Sequence, residues 1–155
     1  NDLDALDNEI IRLLTENGRM STGELAKKLN RTAPTVRSRI KELEKNGIFK
    51  VSGLINPSKH REMITALVAM SVQSGGKLDQ VLEKISALPN VVWAGVVTGR
   101  YDIMAEVVCV RGKEDLYKFT TETILSLGNV VRSETFLIMK SKHNWICLPE
   151  GVEEI

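Results

Sequence analysis

The stretch STGELAKKLNRTAPTVRSRIKELEKN, residues 21–46, decides how the first part of this chain folds. Ser21 and Glu24 have the spacing of a capping box, in which the Ser21 hydroxyl accepts from the Glu24 amide and the Glu24 carboxylate reaches back. The spacing predicts a helix over 21–29 with Leu25, Ala26 and Leu29 as its buried stripe. Asn30 tolerates the left-handed conformation of a tight helix exit, Thr32 can cap a following helix, and Pro34 suits its first turn. A second helix over 32–46 then puts Val36, Ile40 and Leu43 on one face. At roughly 100° per residue the opposite face carries Pro34, Ser38, Lys41 and Lys45, with Arg37 beside them. Two short helices joined by a break at Asn30 and Arg31, apolar behind and basic in front, form a helix-turn-helix suited to a nucleic-acid groove.

The formal charge of the whole chain is only +1 and does not by itself suggest a polyanion partner. The asymmetry is internal. Over residues 1–25, Arg12 and Arg19 face Asp2, Asp4, Asp7, Glu9, Glu16 and Glu24. Over 26–50 the sign reverses: Lys27, Lys28, Arg31, Arg37, Arg39, Lys41, Lys45 and Lys50 face only Glu42 and Glu44. Because screening at physiological salt limits each charge to roughly 8 Å, local concentration is what attracts phosphate. The bland alternative is a solvated, salt-bridged amphipathic helix.

Upstream, Leu3, Leu6, Ile10, Leu13 and Leu14 recur at helical spacing, predicting a helix over 4–16 whose N-terminal dipole suits Asp2, Asp4 and Asp7. Three helices thus make a head ending near Asn46 and Gly47, and residues 48–55 read as a strand. Beyond the turn signal at Asn56, Pro57 and Ser58 the pattern alternates. It predicts strand 64–74, helix 77–88, strands 91–98 and 101–110, helix 113–127 and strand 130–140. The punctuation is Gly75-Gly76, Leu88-Pro89-Asn90, Gly99-Arg100, Arg111-Gly112 and Gly128-Asn129. The domains expected are therefore a DNA-binding head over 1–50, a strand linker over 51–60 and a second domain over 61–155. This βαββαβ order predicts a ferredoxin-like antiparallel sheet with helices on one face, and the chain as a whole is α+β. Strands 64–74 and 101–110 are apolar on both parities, the mark of burial on both faces. With no second layer left in the sequence, a second copy of the chain is expected to cover the other face, making a homodimer.

A hydrophobic content of 43% is ordinary for a globular protein. No segment approaches the roughly 18 apolar residues of a membrane span, and no signal-peptide pattern opens the sequence, so a cytoplasmic location is expected. Cys109 and Cys147 stand far apart, with only His60 and His143 as imidazole donors, so neither a disulfide framework nor a metal site is indicated, and no cofactor is expected. Cys109 reads as the interior of a strand.

The order of parts and several motifs resemble the leucine-responsive/AsnC-type (Lrp/AsnC) family of prokaryotic transcription regulators. The strings are Leu3-Asp4-x-x-Asp7-x-x-Ile10-Ile11-x-x-Leu14, Gly18-Arg19-x-Ser21, Glu24-Leu25-Ala26, and Thr35-Val36-x-x-Arg39-Ile40-x-x-Leu43-x-x-x-Gly47-Ile48. Val97-Thr98-Gly99-Arg100-Tyr101-Asp102 completes the set by matching the family's Thr-Gly-x-Tyr-Asp signature. The resemblance implies a winged-type DNA-binding head, a ferredoxin-like domain that dimerises, assembly of dimers into rings, and response to amino acids. It places the effector at Gly99, Arg100, Tyr101 and Asp102 with Thr135 from the last strand, at a contact between dimers. Two positions depart from the pattern: Arg31 stands where the family carries an aliphatic residue, and Arg100 where an acidic residue often precedes the tyrosine.

For DNA, Lys27, Lys28, Arg31, Lys41 and Lys45 are the candidates for phosphate, and Thr35, Arg37 and Ser38 for base edges. Arg39 lies on the flank nearest Leu43 and is expected to pair with an acid such as Asp7. For an effector, the Asp102 carboxylate suits an ammonium group and the glycine-loop amides suit a carboxylate. The bland reading of that loop is a hairpin turn whose amides Asp102 satisfies. Two rival functions fall on the same residues: an amino-acid-sensing module without DNA binding, and an enzyme using Asp102 and Glu106 with His60 or His143 as base. The first would lack the basic front, which is present, and the second lacks a nucleophile, a metal set or a phosphate-cradling loop nearby.

Overall fold

The computed structural model describes residues 3–73, 77–152 and 155. The expectations for Asp2, Ser74, Gly75 and Gly76 lie outside them. The chain divides into two compact units, Asn1–Gly53 and Leu54–Ile155.

The first unit holds α1 (Ala5–Glu16), α2 (Thr22–Leu29) and α3 (Ala33–Lys45). The expected Ser21–Glu24 capping box forms at the start of α2, with the Ser21 amide 2.7 Å from the Glu24 carboxylate. A second box opens α1, where the Asp4 and Asp7 carboxylates each accept the other's amide. The sequence pattern predicts a dipole role for these acids and an Arg39 partner in Asp7, but not this box. Asn30 ends α2 in the left-handed region at φ 50°, and the Arg31 amide folds back onto the Ala26 carbonyl at 2.9 Å. Gly47, at φ 66°, does the same for α3: its own amide meets the Glu44 carbonyl and that of Ile48 meets Leu43. These paired bonds satisfy the last carbonyls of each helix. Ile10, Leu13, Leu14, Leu25, Ala26, Val36 and Leu43 close around one another as the core.

The expected strand over 48–55 does not form. All regular elements of the first unit are helices, so residues 49–54 have no neighbouring strand to take their backbone bonds. Ile55 forms a β-bridge, exchanging two 2.9 Å antiparallel bonds with Ile146.

The second unit runs β1 (Ile64–Val72), α4 (Leu78–Ser86), β2 (Val91–Val96), β3 (Ile103–Cys109), α5 (Lys113–Lys118), a π-helical turn (Phe119–Thr123), α6 (Ile124–Ser126) and β4 (Val130–Leu137). The sheet order is β2-β3-β1-β4 and every pairing is antiparallel, the expected ferredoxin-like arrangement. Ala66, Val68 and Met70 of β1 and Ile103, Ala105 and Val107 of β3 pack with Val81, Ile85, Phe119 and Ile124 of the helices. The single helix expected over 113–127 is interrupted by its π turn. There Thr120 and Thr121 hydroxyls donate to the Leu116 and Tyr117 carbonyls four residues back, which loosens the ladder.

The pairing register also lists the sheet's other face. Trp93, Glu106, Leu67 and Phe136 cross it in one row, and Gly95, Met104, Ala69 and Glu134 in the next. The expectation that this chain supplies no cover there needs correcting at one end. Ile146, with Ile55, Val92 and Leu148, packs on Val108 and Met63. The central rows stay open, with Trp93 45% and Phe136 46% exposed.

Candidate DNA interface and ligand site

All eight residues proposed for DNA contact, Lys27, Lys28, Arg31, Thr35, Arg37, Ser38, Lys41 and Lys45, are exposed. Helix α3 arranges Thr35, Arg37, Ser38, Lys41 and Lys45, because Val36 and Leu43 are buried and turn the opposite surface outward, while Lys27 and Lys28 come from α2 and Arg31 from the turn. Among the described residues none of the six cations in this set is in an ion pair. Their charge is therefore available to phosphate. Arg31 bends to the carbonyl of Asn30 at 3.2 Å and stays at the turn. Thr35 is less free than its position suggested: its hydroxyl shares a 2.8 Å hydrogen bond with that of Thr32, and its amide donates to the same Thr32 oxygen in capping the helix.

Arg39 does what its flank position predicts. Its Nη1 bonds the Asp4 carboxylate at 2.6 Å and the Asp7 carboxylate at 3.0 Å, tying α3 to the capping box of α1. The Asp7 backbone amide, then the Arg39 side chain, hold the Asp4 carboxyl below its ordinary pKa.

In the second unit the hairpin between β2 and β3 carries Gly99, at φ 115°, and exposed Arg100. Asp102 is locked by its surroundings. Its carboxylate accepts from the Val72 amide at 2.8 Å, its own amide donates to Met70, and its carbonyl accepts from Val97. The carboxylate thus fastens the hairpin to β1 instead of satisfying amides within its own turn. Tyr101 donates its hydroxyl to Glu134, and the Arg132 guanidinium lies 5.7 Å from the centre of its ring. The bond to Glu134 raises the Tyr101 pKa, and the charges of Arg132 and Arg100 oppose that rise.

The structure therefore brings Tyr101 to Glu134 and Arg132, two residues the sequence reading did not single out. Their signal lay in strand register: Glu134 pairs with Ala69 and Arg132 with Ser71, which places both on the open face near the hairpin. Thr135 pairs with Val68 on the helix-covered face, away from that cluster.

The carboxylates weighed for catalysis are each otherwise occupied. Glu106 accepts from the Trp93 indole N–H at 2.9 Å, and four residues of extended chain separate it from Asp102 by roughly 13 Å. Among the described residues no group of histidines, cysteines and acids could hold a metal ion. Burial, followed by the charge of Asp115, pushes the Cys109 thiol up to about 12, in keeping with an interior strand position. No described helix is long and apolar enough to cross a membrane.

A helix-turn-helix with an unpaired basic face, joined to a ferredoxin-like sheet, defines a two-domain DNA-binding regulator. Residues 3–50 match the winged helix-turn-helix DNA-binding family, and residues 65–144 match the Lrp/AsnC ligand binding domain. The chain belongs to the Lrp/AsnC family of helix-turn-helix transcriptional regulators. An uncharacterized HTH-type transcriptional regulator of Pyrococcus abyssi is 36% identical over 90% of this chain and 88% of its own. The leucine response regulatory protein of Mycobacterium tuberculosis superposes with a TM-score of 0.79 at 25% identity, covering 90% of this chain and 94% of that one. A transcriptional regulator of Neisseria meningitidis solved with L-Met superposes at 0.72 and 23% identity over 92% and 94% of the two chains, a likeness of fold.

Proposed function

We propose that this regulator acts in the cytoplasm as a homodimer, its α3 helices lying in successive major grooves of a palindromic operator. Lys27, Lys28, Arg31, Lys41 and Lys45 position the phosphates, and Thr35, Arg37 and Ser38 face the base edges. Arg37 is the main reader, since its fork can take guanine O6 and N7 together and Thr35 shares its hydroxyl with Thr32. The observation that carries this reading is the set of exposed cations around α3 that form no ion pair among the described residues, beside an Arg39 that forms two. A small amino acid bound near Gly99, Arg100 and Tyr101 modulates the assembly, as a contact between dimers there would allow; the Neisseria meningitidis relative, solved with L-Met, supports that ligand class. The protein acts by occupancy, without a catalytic step.

The test is an equilibrium gel shift of Lys41→Ala against the parent at several salt concentrations. Loss of one phosphate contact lowers the salt slope by about 0.9 and weakens specific and random duplexes alike. An unchanged slope and affinity would remove Lys41 from the interface.

A further inference from the structure

The effector reading leaves open which groups meet the ligand's charges, and on that reading this inference rests. Asp102, the obvious receptor for an ammonium group, has its carboxylate on the Val72 amide and both its backbone groups in use. A ligand that took it would have to undo the join between hairpin and β1. Glu134 is placed differently. It is exposed, and the neutral Tyr101 hydroxyl occupies only part of a carboxylate that can accept several bonds. Two guanidinium groups belong to the same corner: Arg132 lies over the ring of this phenol, and Arg100 is its chain neighbour at the exposed tip of the hairpin. Neither is in an ion pair among the described residues. One available anion and two available cations around one tyrosine match a ligand with one ammonium group and two carboxylates. Guanidinium forks bind carboxylates through paired, charge-assisted hydrogen bonds, which a neutral side-chain amide cannot reproduce.

We propose that this corner of the sheet binds an acidic amino acid, with its ammonium group on Glu134 and its carboxylates on Arg132 and Arg100. The departure at position 100, a cation where an acidic residue is common in the family's pattern, becomes the determinant of side-chain choice. Tyr101, bonded to Glu134 with Arg132 over its ring, is a positioning residue that orients Glu134.

The experiment is calorimetric titration of the whole 155-residue chain with L-glutamate, L-aspartate, L-glutamine, L-leucine, L-lysine and succinate, then with the remaining common amino acids. It is repeated on Glu134→Gln and Arg100→Gln after melting curves show that they fold. An acidic amino acid should bind at least tenfold more tightly than its amide, the size expected for one charge-assisted contact. Glu134→Gln should weaken it by at least about tenfold, and Arg100→Gln should shift preference from glutamate toward glutamine. Preference for a neutral or basic amino acid, succinate binding as well as aspartate, or an unaffected Glu134→Gln variant would overturn the assignment while leaving an effector in place. Silence across all the common amino acids would remove the effector reading as well. If either variant fails to fold, the ranking of ligands by the parent chain decides.

Discussion

Arg39 lies on the same helix as the exposed Arg37, Lys41 and Lys45, yet two carboxylates hold it against α1. That division of labour was legible in the sequence, because helical phase alone puts position 39 toward α1 and positions 37, 38, 41 and 45 outward. The price of the tie appears in its pH dependence. The Asp4 carboxyl titrates below its usual value because the ionised form accepts the Asp7 amide and pairs with Arg39. A depressed native pKa means that its stabilisation is fully present above the unfolded value, about 4, and is lost as pH falls through the native one. Asp4→Asn should therefore lower the urea midpoint of the first unit at pH 7, and the gap between variant and parent should close toward pH 2.5. Parallel curves at both pH values would mean that the carboxylate's charge plays no part in the cap. Asp102 was harder to read. Residue type suggested a ligand group, whereas its bond to Val72 depends on a strand thirty positions away that residue type cannot reveal.

Elements with local signals were the most legible. Both boundaries of α2 and the start of α3 follow from Ser21, Glu24, Asn30 and Thr32, all within a few residues of the bonds they make. Failures came where the decisive partner was remote or where side chains competed with the backbone. The stretch 48–55 has strand composition, but a strand needs a neighbour, and only Ile55 finds one. The helix over 113–127 has the right period, but its threonines bond back to the carbonyls and open a π turn. The turn between α2 and α3 offers a test of the local argument, since it sets the angle at which the basic face is presented. Asn30→Ala forces an alanine into the left-handed region at φ 50° and should destabilise the first unit by about 1 kcal/mol, while Asn30→Gly should leave it unchanged within a few tenths. Denaturant titration followed by far-UV circular dichroism reads both. Equal loss in the two variants would trace the effect to the asparagine side chain instead of to the backbone.

For the whole molecule, the strongest constraint is the sheet's open face. Its central row of Trp93, Glu106, Leu67 and Phe136 lies beyond the end that Ile146 and Leu148 cover, and two large aromatic groups there remain nearly half exposed. The alternation of β1 showed that both of its faces are apolar, but not that the chain's own tail would take part of the second one. A second copy of the chain on the remaining rows would give the twofold axis that the proposed palindrome requires. It would place two α3 helices one or more DNA turns apart, in steps of about 34 Å. Leu67→Glu puts a charge at the centre of that contact without touching the helix-covered core, where Ala66 and Val68 point. Sedimentation velocity should then show a folded protomer in place of a dimer. In footprinting, the variant should lose most of its advantage for a palindrome over a single half-site while keeping the same salt slope per bound head. A Leu67→Glu protein that still sediments as a dimer would move the interface off this face, and one that remains dimeric but no longer binds the palindrome would separate pairing from operator geometry.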